Sequence, residues 1–463
     1  CSADTDMADQ SDTIVALATP AGTSAVALVR LSGEACARVA AAIFGSTPPP
    51  RVASYRDYRD RAGELVDDVL VTYFPGPRSY SGEECLEIAT HGNPLIAGRV
   101  VEDLIARGCR AAEPGEFTRR AFLNGRLDLA QAEAVMDVIH ARSERALAVA
   151  GRQLRGALGR HLASMTDELL LALARVEAYI DFPEEDLPAE DRAVVRTTLA
   201  NVLRGTQQLL ATRHYGELLR DGIKTVILGA PNAGKSSLLN CLVGRDRAIV
   251  SAEPGTTRDY LEERIQLGSH GLRLIDTAGL NPDPAVVERM GMALTAERAA
   301  EADLVLWVRD ITAPCPALPP EIQARLHAGN TVVVLNKVDL ADGASGSDER
   351  ARANLPPDWP VVRISTVTGA GLADLAHVVG NLADRFRPDG DDQDLAVNAR
   401  HADALGRASD GLTSALAHAE ANGPTELLAS DVRAALEALG EIAGKFDNEL
   451  MLDRLFKTFC IGK

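Results

Sequence analysis

The nine residues GAPNAGKSS, Gly229 to Ser237, constrain this chain more than any other stretch. KTVIL (224–228) before them reads as a short buried strand, and LLNCLVG after them opens a helix. Gly229, Gly234, Lys235 and Ser236 satisfy GxxxxGK[ST] in that strand–loop–helix context. The glycines let backbone N–H groups from Asn232, Ala233 and Gly234 to Ser237 wrap phosphate oxygens, helped by the positive end of the following helix. Lys235 reaches the β and γ oxygens of a nucleotide, and the Ser236 hydroxyl ligates Mg²⁺.

Further motifs follow in order. LRLIDTAG ends a strand with Asp276, Thr277, Ala278 and Gly279. Asp276 can hold Mg²⁺ through water, and the Gly279 amide can sense a γ-phosphate. TVVVLNKVD is a strand ending in Asn336, Lys337 and Asp339, and it resembles the guanine-specifying NKxD element. A carboxylate at Asp339 accepts both N1–H and N2–H of guanine, a donor pair that adenine lacks, and buried pairing of this kind discriminates strongly. VVRIST then supplies a last base-contacting strand marked by Ser365, where Thr366 stands in place of the usual Ala. Alternating strands and helices predict a doubly wound sheet over about 223–384.

Two features set this nucleotide site apart. Ras-like chains place a water-orienting Gln after DTAG; here Leu280 stands there. No arginine finger can be assigned. Asn232 in the P-loop and SAEPGTTRD (Ser251–Asp259) form a pattern that resembles GTPases with K⁺ beside the phosphates. A monovalent cation there takes over an arginine's electrostatic role. Thr257 is then the second Mg²⁺ ligand. The side chain of Asn232 and carbonyls around Ser251, Glu253 and Thr256 cradle K⁺. The plainer reading of Asn232 is turn chemistry.

The bulk numbers bound the rest. A chain of 463 residues predicts two to four domains. No stretch approaches the roughly 18 consecutive apolar residues of a membrane span. The acidic start, CSADTDMADQSD, predicts no signal peptide. Seven scattered cysteines without a CxxC pair indicate neither a zinc site nor a disulfide framework, which predicts a reducing cytoplasm. A net charge of −18 argues against broad nonspecific nucleic-acid binding, though not against a local basic patch. Of 48 basic residues only six are lysine (224, 235, 337, 445, 457 and 463), and two of these fall inside the nucleotide motifs.

The flanks carry DTIVALATPAGTSAVALVRLSG (12–33), SYSGEECLEIATHG (79–92), EPGEFTRRAFLNGRLDLAQAEA (113–134) and a closing GKFDNELMLDRLFKTFCIGK (444–463). With the central motifs, these make nearly the whole chain resemble the tRNA modification GTPases of the MnmE (TrmE) family. The resemblance implies a multidomain α/β plus all-α chain. Residues 1–125 would be a folate-binding-like α/β domain that dimerises. Residues 126–222 and 385–463 would form one discontinuous helical domain around an inserted Ras-like P-loop GTPase domain, 223–384. Apolar spacing supports helices in LALARVEAYIDF, in LRGTQQLLATRHYGELL and in SDVRAALEALGEIAGKF, the last with Ser430 as N-cap. PEEDLPAED (183–191), GASGSDER (343–350) and RPDGDDQD (387–394) read as loops.

The resemblance implies a cytoplasmic, K⁺-activated GTP hydrolase that modifies C5 of the wobble uridine of certain tRNAs. It implies a homodimer, in a heterotetramer with an MnmG-type flavoprotein that carries FAD. The one-carbon unit would come from 5-formyl- or methylene-tetrahydrofolate. Arg30, Glu87, Arg126 and Lys463 would hold the folate, a carboxylate bonding the pterin edge and cations the glutamate tail. Taken singly, each of these also reads as an ordinary surface ion pair. Glu288, in NPDPAVVERMG, would be the general base acting through water; its plainer reading is an acidic residue at a helix start. The tail would bring Cys460 and Lys463 to the folate, with Cys460 as nucleophile, acid–base group or packed side chain. Thr23, Ser24 and Ala25 depart from the family's Arg-Gly-Gly. Two other readings compete: a ribosome-assembly or RNA-binding GTPase switch, which lacks its basic appendage here, and a one-carbon transferase with a vestigial nucleotide domain, which the full motif set opposes.

Overall fold

The computed structural model describes residues 12–181, 189–246, 262–275, 301–313, 318–340, 355–387, 395–421, 423–444 and 449–462. The chain divides into two compact units, Cys1–Met136 with Gly440–Lys463, and Asp137–Leu439. Among the described residues no helix is long and apolar enough to cross a membrane.

The first unit is built on six strands: β1 (Ile14–Leu17), β2 (Val26–Ser32), β3 (Ser54–Arg59), β4 (Leu65–Phe74), β5 (Cys85–His91) and β6 (Arg110–Ala111). Their order is β3-β4-β5-β2-β1-β6, antiparallel except for the β1–β6 pair. Period-two alternation turns Val29, Leu31, Val69, Val71, Leu86 and Ile88 to one face. Helices α1 (Cys36–Phe44) and α2 (Pro94–Ala106) cover that face with Val39, Ala40, Val100 and Leu104. Helix α2 starts where it does because Asn93 caps the Leu95 amide and Pro94 occupies the first turn. The other face keeps Tyr55, Leu70 and Val26 exposed at 65%, 50% and 55%. Helices α3 (Glu116–Leu123) and α4 (Leu129–His140) follow.

A cluster of charges locks α3 to the strands. Arg120, 8% exposed, bonds Glu83 at 3.1 Å and Glu116 at 3.0 Å, and also pairs with Asp12. Arg110 holds the same Glu116 and Asp12. Burial alone would raise the Glu116 carboxyl; bonds from Arg110, the Glu113 amide and Arg120 outweigh it and hold it below its ordinary 4.5. The unfolded chain therefore binds this proton first, and the stabilisation is present above the ordinary value and lost as pH falls through the depressed one. Glu116→Gln is expected to cost about 1–3 kcal/mol at neutral pH. It should also flatten the loss of stability between about pH 5 and pH 3. Denaturant melts across that range check this; parallel curves for both proteins would remove Glu116 as the titrating group.

The second unit begins with α5 (Glu144–Leu154), α6 (Ala157–Asp181), α7 (Ala189–Ala211) and α8 (Arg213–Asp221). A six-stranded sheet follows: β7 (Ile223–Gly229), β8 (Glu262–Leu267), β9 (His270–Ile275), β10 (Leu304–Asp310), β11 (Thr331–Asn336) and β12 (Val361–Arg363). The order β12-β11-β10-β7-β9-β8 is parallel except for β8. Val226, Leu306, Val308, Val332 and Val334 are buried, as a doubly covered sheet requires. Helices α9 (Lys235–Asp246) and α10 (Leu372–Ala383) contribute Leu238, Leu242, Leu375 and Val379 to one side of that core. Helix α11 (Ala399–Glu420) then lies along α7, and α12 (Thr425–Ala443) ties Arg433 to Glu177 of α6.

The first compact unit runs to Met136 and takes in the end of the chain from Gly440. Leu452, Phe456 and Phe459 of α13 (Glu449–Phe456) and its sequel bury against Leu129 and Ala132 of α4. LRGTQQLLATRHYGELL is two helices, broken at Thr212. Its hydroxyl donates to the Leu209 carbonyl at 2.7 Å and accepts the Val397 amide at 3.2 Å, which ends α7. Ser430 is not an N-cap but an exposed residue inside α12. The helix starts earlier, after Pro424, because Leu428 and Ala429 already continue its apolar face. Of the three expected loops, residues 183–188, 343–350 and 388–394 lie outside the described residues, and Ala189 already opens α7.

Candidate functional site

The carboxyl ends of β7, β11 and β12 meet at one edge of the sheet, where open α/β folds bind ligands. The P-loop leaves β7 at Gly229, and α9 begins at Lys235. Asn232 sits at φ 62°, a left-handed position that asparagine tolerates, so the turn role expected of it is present. Lys235 Nζ donates to the Gly229 and Ala230 carbonyls at 2.8 and 2.9 Å. Burial holds its ammonium below the ordinary lysine value.

The NKVD segment is bonded directly to this loop. Asn336 Nδ2 donates to the Ala233 carbonyl at 3.1 Å. It passes so close to Gly234 that a Cβ there would lie 2.1 Å from that nitrogen, so only glycine fits. Lys337 Nζ bonds the Asn232 carbonyl at 2.8 Å and Asp310 Oδ2 at 2.7 Å. The Asn336 side-chain oxygen accepts the Thr366 amide at 3.3 Å, a backbone contact that Thr366 makes as well as Ala would. Ser365 is buried, and its hydroxyl accepts the Val367 and Thr368 amides at 3.3 and 3.1 Å. Asp339 Oδ1 is buried and has no hydrogen-bond partner among the described residues. Ser236 and Ser237 are exposed at the start of α9.

A second constellation lies in the N-terminal unit. Arg30 and Glu87 are cross-strand partners on β2 and β5. Arg30 Nε and Nη2 donate to Glu87 Oε1 at 3.0 and 2.8 Å. The guanidinium lies 5.3 Å from the Tyr80 ring and 5.9 Å from the Phe117 ring. Its Nη1 reaches the Gly462 carbonyl at 3.5 Å, so the FCIGK tail does fold back to Arg30. Cys460 is exposed, and its carbonyl accepts the Gly115 amide at 3.3 Å. Arg126 is exposed, its stem beside Gly82.

The family models for the MnmE helical domain and the GTP-binding protein TrmE N-terminus match residues 129–460 and 13–126. A protein of Opitutus terrae named tRNA modification GTPase MnmE is 56% identical over 98% of this chain and 99% of its own. Its namesakes in Akkermansia muciniphila and Moorella thermoacetica are each 42% identical, over 99% and 98% of this chain and 100% and 99% of their own. Among solved structures, the G domain of the T. maritima FeoB iron transporter is 26% identical over 35% of this chain and 98% of its own, with a TM-score of 0.25. This chain belongs to the MnmE family.

For an MnmE-family chain, the described residues bring together Asn232 to Ser237, Asn336, Lys337, Asp339 and Ser365, and separately Arg30 and Glu87. Ser251, Glu253, Thr256, Thr257, Asp276, Thr277, Ala278, Gly279, Glu288 and Lys463 lie outside the described residues. Sequence reasoning passed over Asp310, the partner that fixes Lys337; its signal is an Asp ending the strand VLWVRD. It also passed over Tyr80 and Phe117, whose place beside Arg30 leaves no trace in local spacing. The altered 23–25 loop is fastened: the Ser24 amide donates to the Gly92 carbonyl at 2.9 Å, and the Gly92 amide to Ala25 at 3.3 Å.

Proposed function

We propose that this chain is a K⁺-activated GTP hydrolase that, with a flavoprotein partner of the MnmG type, drives modification of C5 of the wobble uridine in certain tRNAs. The observation that carries the reading is full-length kinship with proteins named tRNA modification GTPase, in a chain whose own NKVD segment keeps a buried carboxylate oxygen unpartnered among the described residues. An acceptor held out of water in this way suits the two N–H groups of guanine.

Lys235 exchanges its two loop carbonyls for phosphate oxygens when nucleotide enters. Ser236, Thr257 and, through water, Asp276 would hold Mg²⁺. Asn232, whose side-chain amide makes no hydrogen bond among the described residues, would hold K⁺ with carbonyls near Ser251, Glu253 and Thr256. Bound there, these ions would supply the positive charge that phosphoryl transfer requires. Glu288 would act as the general base through a bridging water, a role Leu280 cannot fill. In the N-terminal unit, Arg30 and Glu87, with Arg126 and Lys463, would hold a reduced folate, which supplies the one-carbon unit. Glu87 suits it because only Oε1 is engaged by Arg30; Oε2 makes no hydrogen bond among the described residues. Cys460 and Lys463 belong to the tail that reaches this site. A homodimer accounts for the uncovered sheet face with exposed Tyr55, Leu70 and Val26, which a second copy would cover. FAD stays on the partner, and the cytoplasm is the fitting compartment.

The test compares tRNA nucleosides from source cells with and without the gene, and GTP hydrolysis by the purified chain in K⁺ and in Na⁺. Loss of the modified wobble uridines, with several-fold faster hydrolysis in K⁺, is expected. An unchanged nucleoside profile would remove the tRNA reading, and equal rates in both salts the K⁺ reading.

A further inference from the structure

The β8–β9 hairpin joins two stretches that the sequence assigns to the nucleotide. SAEPGTTRD ends at Asp259, three residues before Glu262 opens β8, and DTAG starts at Asp276, directly after Ile275 closes β9. The far end of the hairpin, the turn at Gly268–His270, is fastened. The Arg145 amide, in the first turn of α5, donates to the Ser269 carbonyl at 3.4 Å. Arg145 Nη2 bonds Asp384 Oδ1 at 2.5 Å, and Nε reaches the hydroxyl of buried Tyr215 on α8 at 3.3 Å. Asp384, just after α10, places the same Oδ1 3.3 Å from Nε2 of buried His270. One guanidinium and one carboxylate thus gather the hairpin turn, the end of α10, α5 and α8.

Both covalent crossings between the helices and the sheet lie at this joint. The chain enters through Gly222 into β7 and leaves after Asp384. On the entry side His214 of α8 sits 3.5 Å from Asp303, ahead of β10, and edge-on to Phe386 at 5.9 Å. The two six-residue strands of the hairpin are in unbroken antiparallel register from Glu262–Ile275 to Leu267–His270. Such a ladder, about 20 Å long, resists internal shear, so a shift at one end must be taken up at the other.

We infer that Arg145 is a positioning residue that, with Asp384, seats the β8–β9 hairpin on α5 and α8 and so delivers the nucleotide state of the sheet to the helices. It touches no nucleotide and acts only through the hairpin. The inference rests on the reading that the β7 loop binds guanine nucleotide, and it is independent of what the chain modifies.

The test is amide hydrogen exchange on the full chain, loaded with GDP or with a non-hydrolysable GTP analogue, with affinity for both measured directly. In the wild type, α5 and α8 peptides should exchange about fivefold differently between the two states. Arg145→Glu and Asp384→Arg should each erase that difference while analogue affinity stays within about twofold, and the double charge swap should restore most of it. A joint that merely holds the fold would instead loosen α5 and α8 equally in both states. That result, or a nucleotide response that survives both single variants, would overturn the inference. A wild type that binds neither nucleotide would sink the underlying reading instead.

Discussion

Asp339→Asn is expected to turn a guanine site into a xanthine site. Guanine presents two donors along this edge, N1–H and N2–H, and a carboxylate accepts both. Asparagine offers one acceptor and one donor, so its amide would face the N2 donor with another N–H. The penalty is large because Asp339 Oδ1 is buried, out of reach of water that could make good the mismatch. A loss of GTP affinity on the order of a hundredfold or more follows. Xanthine carries a carbonyl where guanine carries N2, and so matches the asparagine. Competition between GTP and xanthosine triphosphate for hydrolysis reads this directly. If the variant still prefers GTP, Asp339 is not the base-reading group. The fold should survive, since Lys337 is held by Asp310 and Asn232, not by Asp339.

Gly115→Ala is expected to release the tail. Gly115 precedes α3 at φ 69°, and a Cβ there would lie 2.7 Å from the Phe456 carbonyl and 2.8 Å from Phe459 Cβ. The left-handed conformation alone costs an alanine about 1–2 kcal/mol. The collision adds to it, because a backbone carbonyl and a ring that is 6% exposed cannot step aside cheaply. A total of about 2–4 kcal/mol is expected, with the last segment displaced from Leu129 and Ala132. Gly125→Ala separates the two contributions: it has φ 66° and nothing within 4 Å of its Cβ. Thermal melts and proteolysis of the C-terminal segment distinguish the variants. Equal melting shifts, with equally resistant tails, would mean that Gly115 answers only to its backbone angle. If the tail serves the Arg30 site, Gly115→Ala should also abolish nucleoside modification while sparing GTP hydrolysis.

The local form of the P-loop and of the NKVD segment was legible in the sequence. GxxxxGK[ST] between a strand and a helix is a local pattern, and its geometry follows from a few consecutive backbone angles. The same holds for NKVD at the end of TVVVLN. What that pattern left open was the lattice between motifs: Lys337 bridging Asp310 and Asn232, and Asn336 resting over Gly234. Helix ends were less legible. Ser430 has the right side chain for a cap, but packing of Leu428 and Ala429 carried the helix past it. Thr212 broke an apparently continuous helix because Val397, 185 residues away, needed its hydroxyl.

The sequence by itself determined a guanine-nucleotide P-loop sheet with long helical and α/β flanks, because periodicity and turn chemistry are short-range and survive in any context. Only the tertiary structure decided which distant groups meet. Arg30 meets the Gly462 carbonyl across 432 positions, and Arg145 meets Asp384 across 239. No local spacing encodes such pairs. They form because burying Phe456 and Phe459 draws the tail onto α3 and α4, and because the sheet must leave and re-enter the helices at one joint.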